Sequence, residues 1–244
     1  MIIGDIAKKL DLPASSTAFH LKILEEAGLI RMEKQPGTRG TVKFCIRKVD
    51  YIMVSLIKKN ADIDEIYNAE MPVGAFSSCQ VTPTCGMFGP DGYIGNEDTE
   101  YCFYYPERMK AGILWTSSGY VEYKFSNGVP RKRSIKKASI SMEICSEAPG
   151  YKEDWKSDLT LWVNDVEVGT WTCPGDFGAR RGRLNPPSWP NGSTQYGMQV
   201  IWEIRPDGSY LNGEKLSEVM VDQLKIMDRS FVDVKIGNKP GAKY

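Results

Sequence analysis

Residues 12–30 read LPASSTAFHLKILEEAGLI, small and hydroxylated at the front and leucine-rich towards the back. At about 100° per residue, a helix here puts Thr17, Leu21, Leu24 and Gly28 on one side, with His20 and Ala27 at its edge. The opposite side carries Ser15, Ala18, Phe19, Lys22 and Glu26. A solvated helix back does not ordinarily set a phenylalanine beside two hydroxyls and a lysine. Short side chains that allow close approach, hydroxyls for base edges or phosphates, and an apolar group for a thymine methyl suit entry into a DNA major groove.

The flanking sequence supports that reading. GDIAKKLDL (4–12) is amphipathic, with Ile6, Ala7 and Leu10 at helical spacing. Pro13 cannot continue a helix but can begin one. A second helix is expected from about residue 14 to Ala27, with Gly28 as its stop. Two helices about three residues apart form a helix-turn-helix whose second helix reads DNA. LIRMEKQPGTRGTVKFCI (29–46) then gives two β-prone runs flanking the turn-rich KQPGTRG, a hairpin. Arg31, Lys34, Arg39 and Lys43 outweigh Glu33 there, as a wing that grips phosphates or a narrow minor groove requires; taken alone, such a hairpin is an ordinary solvated turn.

Charge follows the same division. The chain has 244 residues and no net charge, but residues 1–60 hold 11 Lys/Arg against 6 Asp/Glu, or +5. The remainder holds 20 against 25, or −5. A basic module facing a polyanion, followed by a module with another task, is the expected organisation.

Residues 4–46 resemble the reader half of bacterial winged-helix repressors of the ArsR type, through SSTAFHLKILEEAGLI followed by RMEKQPGTRGTVKF. The resemblance implies that Ser15, Ser16, Ala18, Phe19 and Lys22 face double-stranded DNA, with Arg39 in the wing, while Thr17, Leu21 and Leu24 are core; Lys34, from the charge of the hairpin, is read as a further DNA contact. His20, the single histidine, falls at the core flank and is read as packing rather than as a base contact. The family's metal-sensing cysteine pair or nitrogen-rich set has no counterpart here, so no metal and no cofactor are expected. The resemblance also implies one or two further helices ahead of GDIAKKL. Without them, Ile6, Leu10, Leu21 and Leu24 must find cover elsewhere or leave residues 1–30 weakly ordered, at about 1.5–3 kcal/mol per bare side chain.

VDYIMVSLI (49–57) reads as a strand, and the polar KKNADIDEIYNAE (58–70) as a linker. Beyond it helical periodicity ends and short strands recur: AGILW, YVEYKF, ASISMEI, LTLWV, VEVGTWT, MQVIWEI and VDVKI. Asn164-Asp165 and Pro206-Asp207-Gly208 are turn signals; GEKLSEVMVDQL (213–224) is the one place for a helical turn or two. The expected fold is therefore α+β and multidomain: a partial winged helix-turn-helix over 1–57, then an antiparallel β-sandwich of jelly-roll type over 71–244.

The loop CPGDFGARRGRLNPPSWPNGSTQY (173–196) is too long and too aromatic for a passive connection. Asp176, Arg180, Arg181, Arg183, Trp189 and Tyr196 are the expected contacts to a polar, sugar-like ligand. The competing reading is a structural loop whose arginines pair internally and whose tryptophan plugs the sandwich. PTCGMFGP, ERMKAGILWTSSGYVEYKF and CSEAPGYKEDWKSDLTLWVNDVEVGTWTCPGDFGARRGRL resemble the carboxy-terminal domain of bacterial ArsR-type regulators. That resemblance implies a fused β effector domain for carbohydrate-related ligands, with further β sequence beyond KPGAKY, but hands over no ligand residues.

Asp158, Asp165, Asp176 and Glu203 are carboxylates of the kind a glycosidase pairs, yet nothing in the sequence pairs them. G-x-S-x-G, HExxH and a phosphate loop are all absent. Six cysteines without a CxxC, Cys79 and Cys85 among them, read as reduced thiols in a cytoplasmic protein. No segment reaches the roughly 18 apolar residues of a membrane span. The expectation is a homodimeric, ligand-responsive regulator rather than an enzyme, with a carbohydrate-binding or carbohydrate-active β protein as the alternative.

Overall fold

The computed structural model describes residues 1–37, 40–49, 65–131 and 133–243, and the chain divides into two units, Met1–Asp64 and Glu65–Tyr244. In the first unit, α1 (Ile3–Leu10) ends where Asp11 turns to φ +51°. Pro13 stays extended and opens α2 (Ala14–Glu26), its carbonyl accepting from both the N–H and the hydroxyl of Thr17. Gly28, at φ +75°, closes α2: its N–H reaches the Glu25 carbonyl and the Leu29 N–H the Leu24 carbonyl. This Schellman motif needs a left-handed residue, which glycine supplies without a Cβ penalty.

The hairpin follows directly. β1 (Ile30–Gly37) and β2 (Gly40–Arg47) are antiparallel, from Ile30↔Arg47 to Gly37↔Gly40. The strands run further than the sequence indicated, because Lys34–Gly37 are ladder rather than turn. Ile2 bridges to Phe44, and Met1 exchanges backbone hydrogen bonds with Cys45, so the chain start pairs along β2. Ala7, Thr17 and Leu21 are buried between the helices. Leu24 was expected in the core but is 38% exposed, and Leu10 is 60% exposed; the two helices are too short to cover that side. The anticipated strand over 49–57 and most of the 58–70 linker lie outside the described residues.

In the second unit, ten strands form two sheets, and every strand pairing among the described residues is antiparallel. They are β3 (Ser78–Gly89), β4 (Gly92–Tyr93), β5 (Ile113–Ser126), β6 (Ala138–Ile144), β7 (Ser157–Val163), β8 (Val166–Cys173), β9 (Met198–Arg205), β10 (Gly208–Leu211), β11 (Glu214–Ser217) and β12 (Phe231–Gly237). One sheet is ordered β4-β3-β5-β12-β7-β8 and the other β11-β10-β9-β6. Leu161, Val163, Val168 and Val234 of the first join Val200, Trp202 and Ile204 of the second in a single hydrophobic core. Along β9 these side chains alternate with the more exposed Gln199, Ile201 and Glu203, as the two-residue period of a strand demands.

Six of the seven expected strand segments are strands throughout; of AGILW only residues 113–115 are, and they are fused with YVEYKF into the continuous β5 through Thr116–Gly119. GEKLSEVMVDQL is not α-helical: its first part is β11, and only Val221–Leu224 forms a 3-10 turn. Asn164 and Asp165, both at positive φ, make the β7–β8 turn. The Asn164 side chain is buried; its amide donates to the Leu224 carbonyl and its oxygen accepts from the Asp233 N–H.

Candidate DNA interface and ligand sites

On α2, the face away from Thr17 and Leu21 is open. Ser15, Ala18 and Lys22 are exposed, Phe19 is 62% exposed, and Ser16 is partly covered. Lys22 lies 3.7 Å from Glu26 one turn on, an exposed pair that holds it loosely. His20, expected at the core flank, is exposed, its ring edge-on to Phe19 at 5.6 Å. The helix turns it past the thin core, onto the same open side as Phe19. In the hairpin, Lys34 and Lys43 are exposed and Arg31 pairs with Glu33 at 3.1 Å. Arg39 lies outside the described residues.

The six residues expected to bind ligand in the 173–196 loop do not converge. Arg181 donates to the Trp189, Pro186 and Gln195 oxygens and to Asn191, so it braces the loop internally. Gln195, itself buried, ties the Pro190 and Ser193 carbonyls. Trp189 is 6% exposed and gives its indole N–H to the Thr194 carbonyl. It presents no open face to a sugar, because its ring is already packed on Phe88 at 4.8 Å and Trp115 at 5.7 Å. Arg180 stacks over Tyr196 at 3.9 Å, and Tyr196 on Phe177 at 5.6 Å; Arg183 is exposed. Asp176 is fully buried on the inner side of the loop.

Beside Asp176 runs the segment 146–148, which sequence reading did not single out: the Ser146 N–H donates to the Gly175 carbonyl. The Asp176 Oδ2 accepts from the Ala148 N–H, and the buried Ser146 hydroxyl has no hydrogen-bond partner among the described residues. Burial pushes the Asp176 carboxyl above its usual range. Glu147 goes further: burial, then the neighbouring Asp176 charge, push it up to about 8. SEAPG carries no periodic signal that would single out Glu147. The other carboxylates considered for catalysis are dispersed. Glu203 is held by Lys137 and Arg205, Asp165 pairs with Arg229 in its turn, and Asp158 accepts from Thr172.

A cleft of about 440 Å³ opens elsewhere on this unit, between the β3–β4 hairpin and the 3-10 segment Pro106–Lys110. Tyr93 and Tyr105 line it with Asp91, Glu107 and Lys110. Among the described residues no three His, Cys, Asp or Glu side chains are arranged to hold a metal ion. All six cysteines are free thiols; burial raises Cys79 and pushes Cys85 up to about 11.

Residues 1–32 match the family model described as bacterial regulatory protein, arsR family. The matched stretch contains α1, α2 and the start of β1, and its family is one of DNA-binding regulators. The amino-terminal segment, two helices joined by a short turn, is thus similar to the helix-turn-helix of that family. No curated protein and no solved structure matches the chain. No helix among the described residues is long and apolar enough to cross a membrane.

Proposed function

We propose that the chain is a homodimeric transcriptional regulator that reads DNA with α2, grips the backbone with the β1–β2 wing, and carries an effector-binding β-sandwich of jelly-roll type. The observation that carries this reading is the outward strip Ser15, Ala18, Phe19 and Lys22 on the second helix of an ArsR-type helix-turn-helix. A regulator needs two such strips, because one short helix specifies too few bases and paired half-sites multiply affinity. The exposed Leu10, Ile23 and Leu24 offer apolar surface that a second copy would cover. Free thiols and a DNA target fit a cytoplasmic protein. The two sheets share one core, which supports the sandwich reading, and the exposed tyrosines at its cleft support a polar effector.

The test is DNA affinity across a salt series for the full chain and for Lys22→Ala/Lys34→Ala. Each lost phosphate contact lowers the slope of log affinity against log salt by about 0.9. The double variant should therefore flatten the slope by nearly two and weaken binding at low salt. An unaltered slope removes both lysines from the interface. A carbohydrate-active β protein is the competing reading, and bond cleavage in incubations with oligosaccharides would favour it.

A further inference from the structure

The Tyr93–Tyr105 cleft joins two parts of the chain that lie close in sequence but have different shapes. From one side comes the tip of the β3–β4 hairpin, Gly89–Gly95, with three glycines. Gly89 and Gly95 are required by packing: a Cβ at Gly89 would sit 2.9 Å from the Lys110 carbonyl oxygen, and one at Gly95 would run into the Cys102 sulfur. From the other side comes Pro106–Lys110. Its position is fixed by Arg108, whose guanidinium donates to the Gly74 and Phe76 carbonyls and stacks on the Phe76 ring at 4.4 Å.

Tyr93 is 44% exposed and Tyr105 39%, large aromatic surface that a free-standing sheet does not need to show. Tyr93 is backed by Phe88 at 4.9 Å, Trp115 at 6.2 Å and Trp189 at 6.4 Å. Gly86 leaves room for the Trp115 ring, which a Cβ would strike. Trp189 of the long loop is therefore a positioning residue for Tyr93. Between the aromatic groups stand Asp91, Lys110 and Glu107; Lys110 reaches Asp91 at 3.4 Å, and Glu107 carries no ion pair or hydrogen bond among the described residues.

We infer that this cleft, not the 173–196 loop, is the ligand site of the β unit, and that it takes a neutral saccharide of one or two rings. The volume falls in the range of small-molecule sites. Tyrosine offers an apolar face to the C–H side of a sugar ring and a polar edge to its hydroxyls. A free carboxylate accepts two vicinal hydroxyls and an ammonium donates to ring or glycosidic oxygens. Two carboxylates against one ammonium disfavour a phosphorylated or carboxylated ligand. The inference rests on the reading of this unit as the effector-binding part, but it can fail separately.

The test uses the full chain with glucose, galactose, maltose, cellobiose, lactose and glucose 6-phosphate. Binding is followed by tryptophan fluorescence, to which Trp115 and Trp189 behind Tyr93 are sensitive, and by saturation-transfer NMR. At least one neutral sugar should bind, and glucose 6-phosphate should not. Tyr105→Ala and Glu107→Gln should each weaken binding about tenfold or more, corresponding to about 1.4 kcal/mol, while Arg183→Ala leaves it unchanged. Silence from every neutral sugar overturns the inference. So does binding that survives Tyr105→Ala and Glu107→Gln but is lost in Arg183→Ala, which would place the ligand in the loop. Self-association abolished by Tyr105→Ala, with no sugar bound, would make the surface a protein contact instead. If a sugar binds here without altering DNA affinity, the cleft stands and its effector role falls. If no sugar binds while DNA does, the cleft falls and the regulator stands.

Discussion

Replacing Glu147 by Gln should change how the stability of the β unit depends on pH. In the folded unit, burial and the Asp176 charge push the Glu147 carboxyl from its ordinary 4.5 up to about 8. Below about pH 4.5 the acid is protonated in both folded and unfolded chains, and its burial carries no charge penalty. As pH rises towards 8 the unfolded chain ionises while the folded one keeps its proton, so stability falls. Each tenfold weakening of the acid on folding corresponds to about 1.4 kcal/mol, so the loss approaches 4–5 kcal/mol by about pH 8.5. Glutamine is nearly isosteric and does not titrate, so the variant should match wild type near pH 4.5 and exceed it progressively above. All six tryptophans lie in Glu65–Tyr244. Urea unfolding followed by tryptophan fluorescence at several pH values therefore reports on this unit alone. Parallel wild-type and Glu147→Gln curves from pH 5 to 8.5 would refute the buried-acid argument.

Further outcomes follow from the same geometry. Asn164→Ala forces a positive φ on alanine and strands the Leu224 carbonyl and the Asp233 N–H, which should lower stability by about 2–4 kcal/mol in urea titrations. Trp202→Ala empties a fully buried site between the sheets and should cost about 3–5 kcal/mol by the same measurement. Gly28→Ala, at φ +75°, should cost about 1 kcal/mol and raise hydrogen exchange in the last turn of α2. Phe19→Ala should leave stability within about 0.5 kcal/mol, because the ring is 62% exposed. On a bound operator it should still lower affinity, about fivefold or more if the ring meets a thymine methyl.

The helices were legible because Pro13 and Gly28 punctuate an amphipathic pattern, and the long strands because their β-branched and aromatic residues recur with turns between them. β3 was not, since SCQVTPTCGMFG mixes a proline and glycines into a strand that is paired mainly with β5. β10 and β11 were missed although Asn212-Gly213 between them is a strong two-residue hairpin signal; the charged, helix-like spacing of GEKLSEVMVDQL masked it. Composition drew attention to the 173–196 loop, but composition cannot show whether arginines and tryptophans face outward or brace each other. Arg181 and Trp189 do the latter. The cleft was invisible for the converse reason. Tyr93 and Tyr105 become neighbours only when the β3–β4 hairpin folds against the 3-10 segment, and no periodicity announces that.

The most direct test of the account is footprinting of the full-length protein on genomic DNA, side by side with Phe19→Ala/Lys22→Ala. Discrete paired half-sites protected by the wild type and lost in the variant, with its tryptophan fluorescence unchanged, are the expected result. Identical footprints from both proteins would show that α2 does not read the duplex.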